Sequence, residues 1–315
     1  MSSTFYGRRS MEKHSVVHRV GIGGWEHEVF DQCLYPQPRM HSVDKLRYYS
    51  QFFDTVEVRQ TFWDDSLNAS DARQWIDAVV ESRLFVFNVK LHSSFTHKKD
   101  IRPGMNTHVR SLLQELAKND RLGALLAQFP FSFTNTGAHR YYLTKLSEIF
   151  RGFPIHVELR HASWDQPSLL SFLGEHSLHA VSADLPRIKQ YMPFVTGDVG
   201  ENAYMRLHGR NEKGWLLNNL DVRYDYLYNG KEMRELERRI DTFSRKGTRL
   251  TIICNNTTDG KAVANAFQLI AALRKSKTVL IAPSALRVFP HLNAISGSFR
   301  LGESLLDASD LREAV

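Results

Sequence analysis

The 315-residue chain is poor in the features that mark most specialised protein classes. It has two cysteines, Cys33 and Cys254, too few for a disulfide framework or a multi-cysteine zinc site. They read as reduced thiols of a cytosolic protein. No apolar run reaches the roughly 18 residues that a membrane-spanning helix needs, and no membrane partner is expected. The first 19 residues are polar and basic without an apolar centre. That is unlike a secretory signal, so the expected location is cytoplasmic. The 18 glycines include no dinucleotide fingerprint: Gly21-Ile22-Gly23-Gly24-Trp25 has the wrong spacing and no helix follows it directly. A P-loop, a nucleophile elbow and a helical His-Glu-x-x-His are also missing. Acids are in deficit, 34 against 41 Lys and Arg, for a net charge of +7. Arg8, Arg9, Lys13 and Arg19 against Glu12 give the leading tail +3 of that. The excess favours anionic partners in general without singling out nucleic acid.

What the chain does contain is globular. At 42% hydrophobic and 24% charged residues it resembles soluble folded domains rather than disordered ones. Short β-branched or aromatic runs alternate with longer stretches of helical period. Eight strands are expected: Val20–Trp25, Thr55–Phe62, Leu84–His92, Leu122–Pro130, Pro154–His161, His179–Leu185, Ala203–Gly209 and Arg249–Asn256. Ser42, Asn68 or Ser70, Asp165 and Asp259 are candidate helix caps, with Pro167 tolerated in a first turn. Met233, Leu236, Ile240 and Phe243 form the clearest helical stripe, ended by Gly247. Eight strand–helix units in one stretch predict an α/β fold, a single (β/α)8 TIM barrel over residues 20–277. A basic tail (1–19) precedes it and a loosely attached extension (278–315) follows. The sixth unit has room for only a turn or two of helix, and the loop from Arg210 to Asn229 is long enough to suggest function.

Barrel strands point alternate side chains inward. The expected inward set is His156, Glu158 and Arg160; Tyr204, Arg206, His208 and Arg210; Asn88, Lys90 and His92; and Glu57, Arg59 and Thr61. Gln128, Asp184, Asn255 and Trp25 complete it. Buried charge is costly unless paired or facing water. Polar groups at the ends of all eight strands therefore predict a site at the C-terminal mouth, where barrel enzymes work. Glu57, Glu158 and Asp184 are acid/base candidates, with His208 or Lys90 as the second proton-transfer group. Arg59, Arg160, Arg206 and Arg210, with Gln128 and Asn255, would bind substrate, and Trp25 would act as a lid or stacking platform. The cationic surplus suits phosphate or carboxylate. The structural alternative is a lattice of ion pairs filling a polar barrel. Glu158, Asp184 and His208, with Glu57, are also ligand types for a hard divalent metal. The cations among them make that the weaker expectation, and no metal ligand is assigned. Tyr224, Tyr226 and Tyr228 alternate like an extended segment that stacks on a ligand or packs its own loop.

A set of motifs occurs in order along residues 20–275. It comprises Gly21-Ile22-Gly23-Gly24-Trp25, Tyr35-Pro36, Val56-Glu57-Val58-Arg59-Gln60-Thr61-Phe62-Trp63, Thr96-His97 and Gln128-Phe129-Pro130. It continues with Glu158-Leu159-Arg160-His161 through Trp164, Tyr204-Met205-Arg206-Leu207-His208-Gly209-Arg210, and Asn255-Asn256 followed by Ala264-Asn265. Together these resemble the YecE-like proteins, also called domain of unknown function 72. The resemblance implies a TIM barrel without an established activity, similar to the xylose-isomerase and endonuclease IV group of metal-dependent enzymes. Fold analogy alone transfers no function, and the histidine-rich metal set of the endonuclease-like barrels is not visible. Two motifs depart from the family pattern. Arg59 and Trp63 stand where Asn and Tyr are usual, and Ile22 and Gly23 remove two hydroxyls from the first motif. The leading expectation is an enzyme acting on a small anionic, phosphate- or sugar-bearing substrate, with hydrolysis, isomerisation and lyase chemistry all open. A nucleic-acid-binding barrel and a small-ligand sensor or scaffold are the alternatives.

Overall fold

Each expected strand forms; every one ends one to four residues earlier than expected, and the first, sixth and seventh also begin one or two residues earlier. The strands are β1 (His18–Ile22), β2 (Thr55–Val58), β3 (Val86–Lys90), β4 (Leu122–Gln128), β5 (Ile155–Glu158), β6 (Leu178–Asp184), β7 (Asn202–Leu207) and β8 (Arg249–Cys254). The computed structural model describes residues 18–101, 104, 106–196, 202–217, 219–244, 249–276 and 278–297. Residues 1–17 of the basic tail, Gly247 and the end of the C-terminal extension lie outside the described residues, and His18 and Arg19, expected in the tail, open β1. All ladders are parallel, in the order β1-β8-β7-β6-β5-β4-β3-β2. The remaining seam, β1 to β2, closes through one bridge from Gly23 to Glu57, and Gly24 N–H donates to the Glu57 carbonyl at 2.9 Å. Gly21 permits that approach, since a Cβ there would lie 1.9 Å from the Thr55 carbonyl oxygen. The fold is a single (β/α)8 TIM barrel.

Helices over Ser42–Tyr49, Ala69–Ala78, Thr107–Lys118, Gly137–Ile149, Leu169–Glu175, Gly230–Ser244 and Lys261–Leu273 cover the strands. Their apolar stripes, such as Met233, Leu236, Ile240 and Phe243, are buried in one core together with outward strand residues such as Val56, Val58, Phe87 and Val89. Asn68 caps as expected: its side chain accepts from Ser70 N–H, and Asp71 accepts from Asn68 N–H at 2.8 Å. Three expected caps are displaced. Ser42 is already helical, after His41, and its hydroxyl meets the Trp25 indole instead. Asp165 ends a short turn, and the next helix starts after Ser168. Asp259 (φ 52°) and Gly260 (φ 71°) are both left-handed, which moves the start of the last barrel helix to Lys261. No helix follows β6 among the described residues before β7.

The extension after position 277 is not loose where it is described. Pro283–Val288 and Pro290–Ile295 are helical, Ala285 and Leu292 are buried, and the Ser284 hydroxyl donates to the Tyr35 carbonyl at 2.8 Å. Inside the barrel the layers are chemically distinct. Asn88 donates to Thr55 Oγ1 at 2.7 Å, and His156 stacks on His179 at 5.0 Å, near the N-terminal end. Ala124, Leu126, Val181, Tyr204 and Ile253 form an apolar plug. One inward step further along β4 and β7 come Gln128 and Arg206, so the polar layer sits on that plug.

Candidate functional site

Arg206 is the centre of the polar layer. It lies on β7 between β2 and β5 across the barrel, is 2% exposed, and bridges two fully buried carboxylates. Its guanidinium pairs with Glu57 at 2.7 Å and also with Glu158. Tyr204 donates its hydroxyl to the other Glu57 oxygen at 3.0 Å. Arg160 donates Nε to Glu158 at 2.9 Å. His208 Nε2 lies 3.3 Å from Glu158, and its Nδ1 lies 3.0 Å from the Asn255 amide. Nε2–H donating to Glu158 and Nδ1 accepting from Asn255 satisfies both ring nitrogens, while Arg206 Nε and Asn255 Oδ1 are buried without a partner among the described residues.

Charge follows from this packing. Burial alone would raise the carboxyls of Glu57 and Glu158. Arg206 with Lys90 and Arg59 outweighs that at Glu57, and Arg206 with His208 and Arg160 outweighs it further at Glu158. Both are therefore held below the usual carboxylate range, Glu158 well below. Burial pushes His208 down to about 4 although Glu158 pulls the other way, so its imidazole is neutral at pH 7. Lys90 closes the layer from the end of β3. It is 9% exposed, and its Nζ lies 3.8 Å from the centre of the Phe62 ring. Burial, then Arg206 and Arg59, push its amine well below the ordinary lysine value, with Glu57 opposing.

Over this floor opens a cavity of about 1110 Å³, lined by Arg59, Gln128 and Arg160 together with loop residues His97, Phe131, Tyr191, Trp215, Arg223 and Tyr224. The loop after β2 turns directly into a short helix, Gln60–Phe62, tied down where Thr61 donates to the Lys90 carbonyl at 2.6 Å. That places Arg59 and Phe62 on the wall. Trp215 comes from a helix, Glu212–Leu216, inside the long loop after β7; Arg160 and Arg223 face its ring at 5.3 and 4.8 Å. Burial would raise the Tyr224 phenol, but Arg160 beside it leaves it below the ordinary tyrosine value. His97 is pushed down to about 4 by burial, then by Lys90 and Arg160.

The structure thus brings together Glu57, Arg59, Lys90, Gln128, Glu158, Arg160, Arg206, His208 and Asn255. It does not bring in Trp25, Asp184 or Arg210. Trp25 is fully buried behind the strands, bonded to Ser42 and edge-on to Trp75 at 5.5 Å, because Gly24 (φ 80°) turns the chain out of β1. On β6 the inward positions are Val181 and Ala183, so Asp184 faces the helical layer. There it accepts from Arg210 at 2.8 and 2.9 Å and from Tyr228 at 2.7 Å. Arg210 leaves the inward register because Gly209 (φ 85°) reverses the chain. Glu158, Asp184 and His208 therefore cannot share a metal, and no cluster of three His, Cys, Asp or Glu suited to one occurs among the described residues. Tyr226 and Tyr228 pack the loop, while Tyr224 reaches the cavity. Sequence reasoning missed Trp215 and Arg223, whose loops carry no periodic signal, and met His97 only within the Thr96-His97 motif, without a role for it.

Over residues 19–287 the chain matches the family described as protein of unknown function DUF72. The UPF0759 protein YunF of Bacillus subtilis is 28% identical over 273 residues, 81% of this chain and 94% of that protein. A DUF72 family crystal structure from Thermotoga maritima superposes with a TM-score of 0.72 at 29% identity, covering 82% of this chain and 99% of that one. One from Enterococcus faecalis gives 0.71 at 26%, covering 82% and 96%. No helix among the described residues is long and apolar enough to cross a membrane.

Proposed function

The chain belongs to the DUF72 family, whose function is unknown, and we propose that its barrel mouth is the active site of an enzyme for a small anionic, phosphate- or sugar-bearing substrate. One observation carries this reading. Glu57 and Glu158 are already matched by Arg206 and Arg160, whereas Arg59 has no carboxylate within ion-pair distance among the described residues. The mouth is left with uncompensated positive charge. A unit charge about 4 Å from an anion at an effective dielectric near 20 is worth about 4 kcal/mol before desolvation. Arg59 and Arg160 would hold the anion, Gln128 would hydrogen-bond the body of the substrate, and Trp215 and Tyr224 offer faces for a sugar ring.

Calorimetric titration with inorganic phosphate, sugar phosphates and the matching uncharged sugars tests this. The phosphorylated compounds should bind and the uncharged sugars should not. Arg59→Ala should weaken phosphate about tenfold or more without changing the melting temperature. Failure of every anion to bind, or unchanged affinity in Arg59→Ala, would overturn the reading. A second reading, nucleic-acid binding, draws on Trp63, which stands 78% exposed on the cavity rim as a stacking surface for a base. It requires affinity for single strands that falls steeply with salt.

A further inference from the structure

We propose that Lys90 is an amine nucleophile that forms an imine with an aldehyde or ketone carried by an anionic substrate, resting on the reading of the mouth as an anion pocket. Two lysines are buried among the described residues, Lys45 and Lys90. Lys45 has the ordinary arrangement, an ion pair to Asp31 at 2.6 Å. Lys90 has none: among the described residues no hydrogen bond or ion pair meets its Nζ, which lies over the Phe62 ring. Its neighbours come from every side of the barrel mouth. Phe62 presents its ring face. Arg59 follows β2, Arg160 follows β5 and Arg206 lies on β7. The nearby acid, Glu57, is already committed to Arg206 and Tyr204.

A lysine desolvated on an aromatic face among other cations is the environment that keeps an amine unprotonated and nucleophilic. An ammonium over a phenyl ring gains only a modest cation–π attraction, a small return against burial beside three guanidinium groups. An exposed lysine, by contrast, is neutral in only about one molecule in 2,500 at pH 7. The Lys90 amine is also not sealed. The residue as a whole keeps 9% of its surface, and its Nζ is not among the fully buried polar atoms that lack a hydrogen-bond partner. Phe62, Arg59 and Arg160 around it all line the open cavity.

The chemistry balances without an oxidant or reductant. The nitrogen lone pair forms the C–N bond as the carbonyl π bond breaks. The oxygen takes up a proton while nitrogen loses one, giving the carbinolamine. The hydroxyl then leaves as water with one further proton from solvent at the mouth. The net change is amine, carbonyl and one proton to protonated imine and water. The positive nitrogen can then draw electrons from an adjacent C–C or C–H bond. Arg59 and Arg160 would hold the substrate's phosphate or carboxylate.

The test uses the full chain at pH 7 with glyceraldehyde 3-phosphate, pyruvate or acetaldehyde, each reduced in place by cyanoborohydride, and mass mapping of the modified lysines. The expected result is modification of Lys90 by the two anionic carbonyls, preferred over exposed lysines by about two orders of magnitude. Inorganic phosphate should suppress it. Lys90→Arg and Lys90→Met should bind phosphate by calorimetry yet show no shift of label to neighbouring lysines. Modification spread over exposed lysines, with Lys90 reacting only after unfolding in urea, overturns the proposal. Phosphate binding that persists without any Lys90 adduct overturns the imine but leaves the anion pocket standing. An adduct formed equally well by acetaldehyde and indifferent to phosphate supports the nucleophile and removes the anion pocket.

Discussion

Replacing Arg206 by methionine strands two buried carboxylates. Glu57 and Glu158 are fully buried, and Arg206 is the group that pairs with both. Removing one partner of a buried ion pair costs about 3–5 kcal/mol, because the remaining charge stays desolvated. Tyr204 still bonds Glu57, and Arg160 still bonds Glu158, so the expected loss stays near the upper end of that range rather than doubling it. A domain of this size melts about 2–4 °C lower per kcal/mol lost, so Arg206→Met should melt about 10 °C lower or more. The loss depends on pH in a fixed sense. In the wild type both carboxyls are held below their ordinary 4.5, so their contribution is complete above that pH and is lost as pH falls through the depressed folded values. In the variant burial wins, the folded values rise above the unfolded ones, and protonation relieves the stranded charge. The variant should therefore recover stability as pH falls from 7 toward about 5. Urea unfolding followed by tryptophan fluorescence at both pH values measures the gap. A gap under about 1 kcal/mol, or one that does not narrow toward acid, would refute the account of the clamp.

Two further outcomes test other parts of the structure. Gly21→Ala would drive a Cβ to 1.9 Å from the Thr55 carbonyl and open the β1–β2 seam. A loss of about 3 kcal/mol or more is expected in thermal unfolding, and a melting point equal to wild type would mean the seam is not closed as described. His208 is held down to about 4, so its imidazole should remain neutral from pH 5 upward, with the proton on Nε2. Nitrogen chemical shifts of the ring report both properties, and a midpoint near 6.5 would contradict its burial against Glu158.

The barrel was legible because eight strand-like runs separated by helical stripes leave few other topologies. The floor was legible for a narrower reason. On β2, β5 and β7 the inward residues Glu57, Glu158, Arg206 and His208 are charged or polar while their outward neighbours Val56, Val58, Val157, Met205 and Leu207 are large and apolar, so parity is unambiguous. On β6, Leu-His-Ala-Val-Ser-Ala-Asp alternates only weakly, with small residues on both faces, and the acid at its end was assigned to the wrong side. Trp25 and Arg210 failed for a backbone reason, since each follows a left-handed glycine that breaks the period of two. The cavity walls escaped because Trp215, Arg223 and His97 lie on short helical turns within the connections after β7 and β3. Only folding brings those connections over the mouth.

The clamp also changes what the acids at the mouth can do. A general acid or base works best with its proton affinity near the ambient pH. Glu57 and Glu158 are driven away from it, and both lie beneath the cavity with their oxygens occupied. Their evident work is electrostatic. They fix Arg206 in the centre of the barrel, cancel its charge together with that of Arg160, and so confine the unbalanced charge to Arg59. His208 is locked between Glu158 and Asn255 in one tautomer. On the proposed reading, proton transfer would fall to the Tyr224 phenol on the cavity wall, lowered by Arg160, and to the Lys90 amine in the layer beneath it, lowered by burial. Both shifts move the group's proton affinity toward neutrality, which is the direction that acid–base work at pH 7 requires.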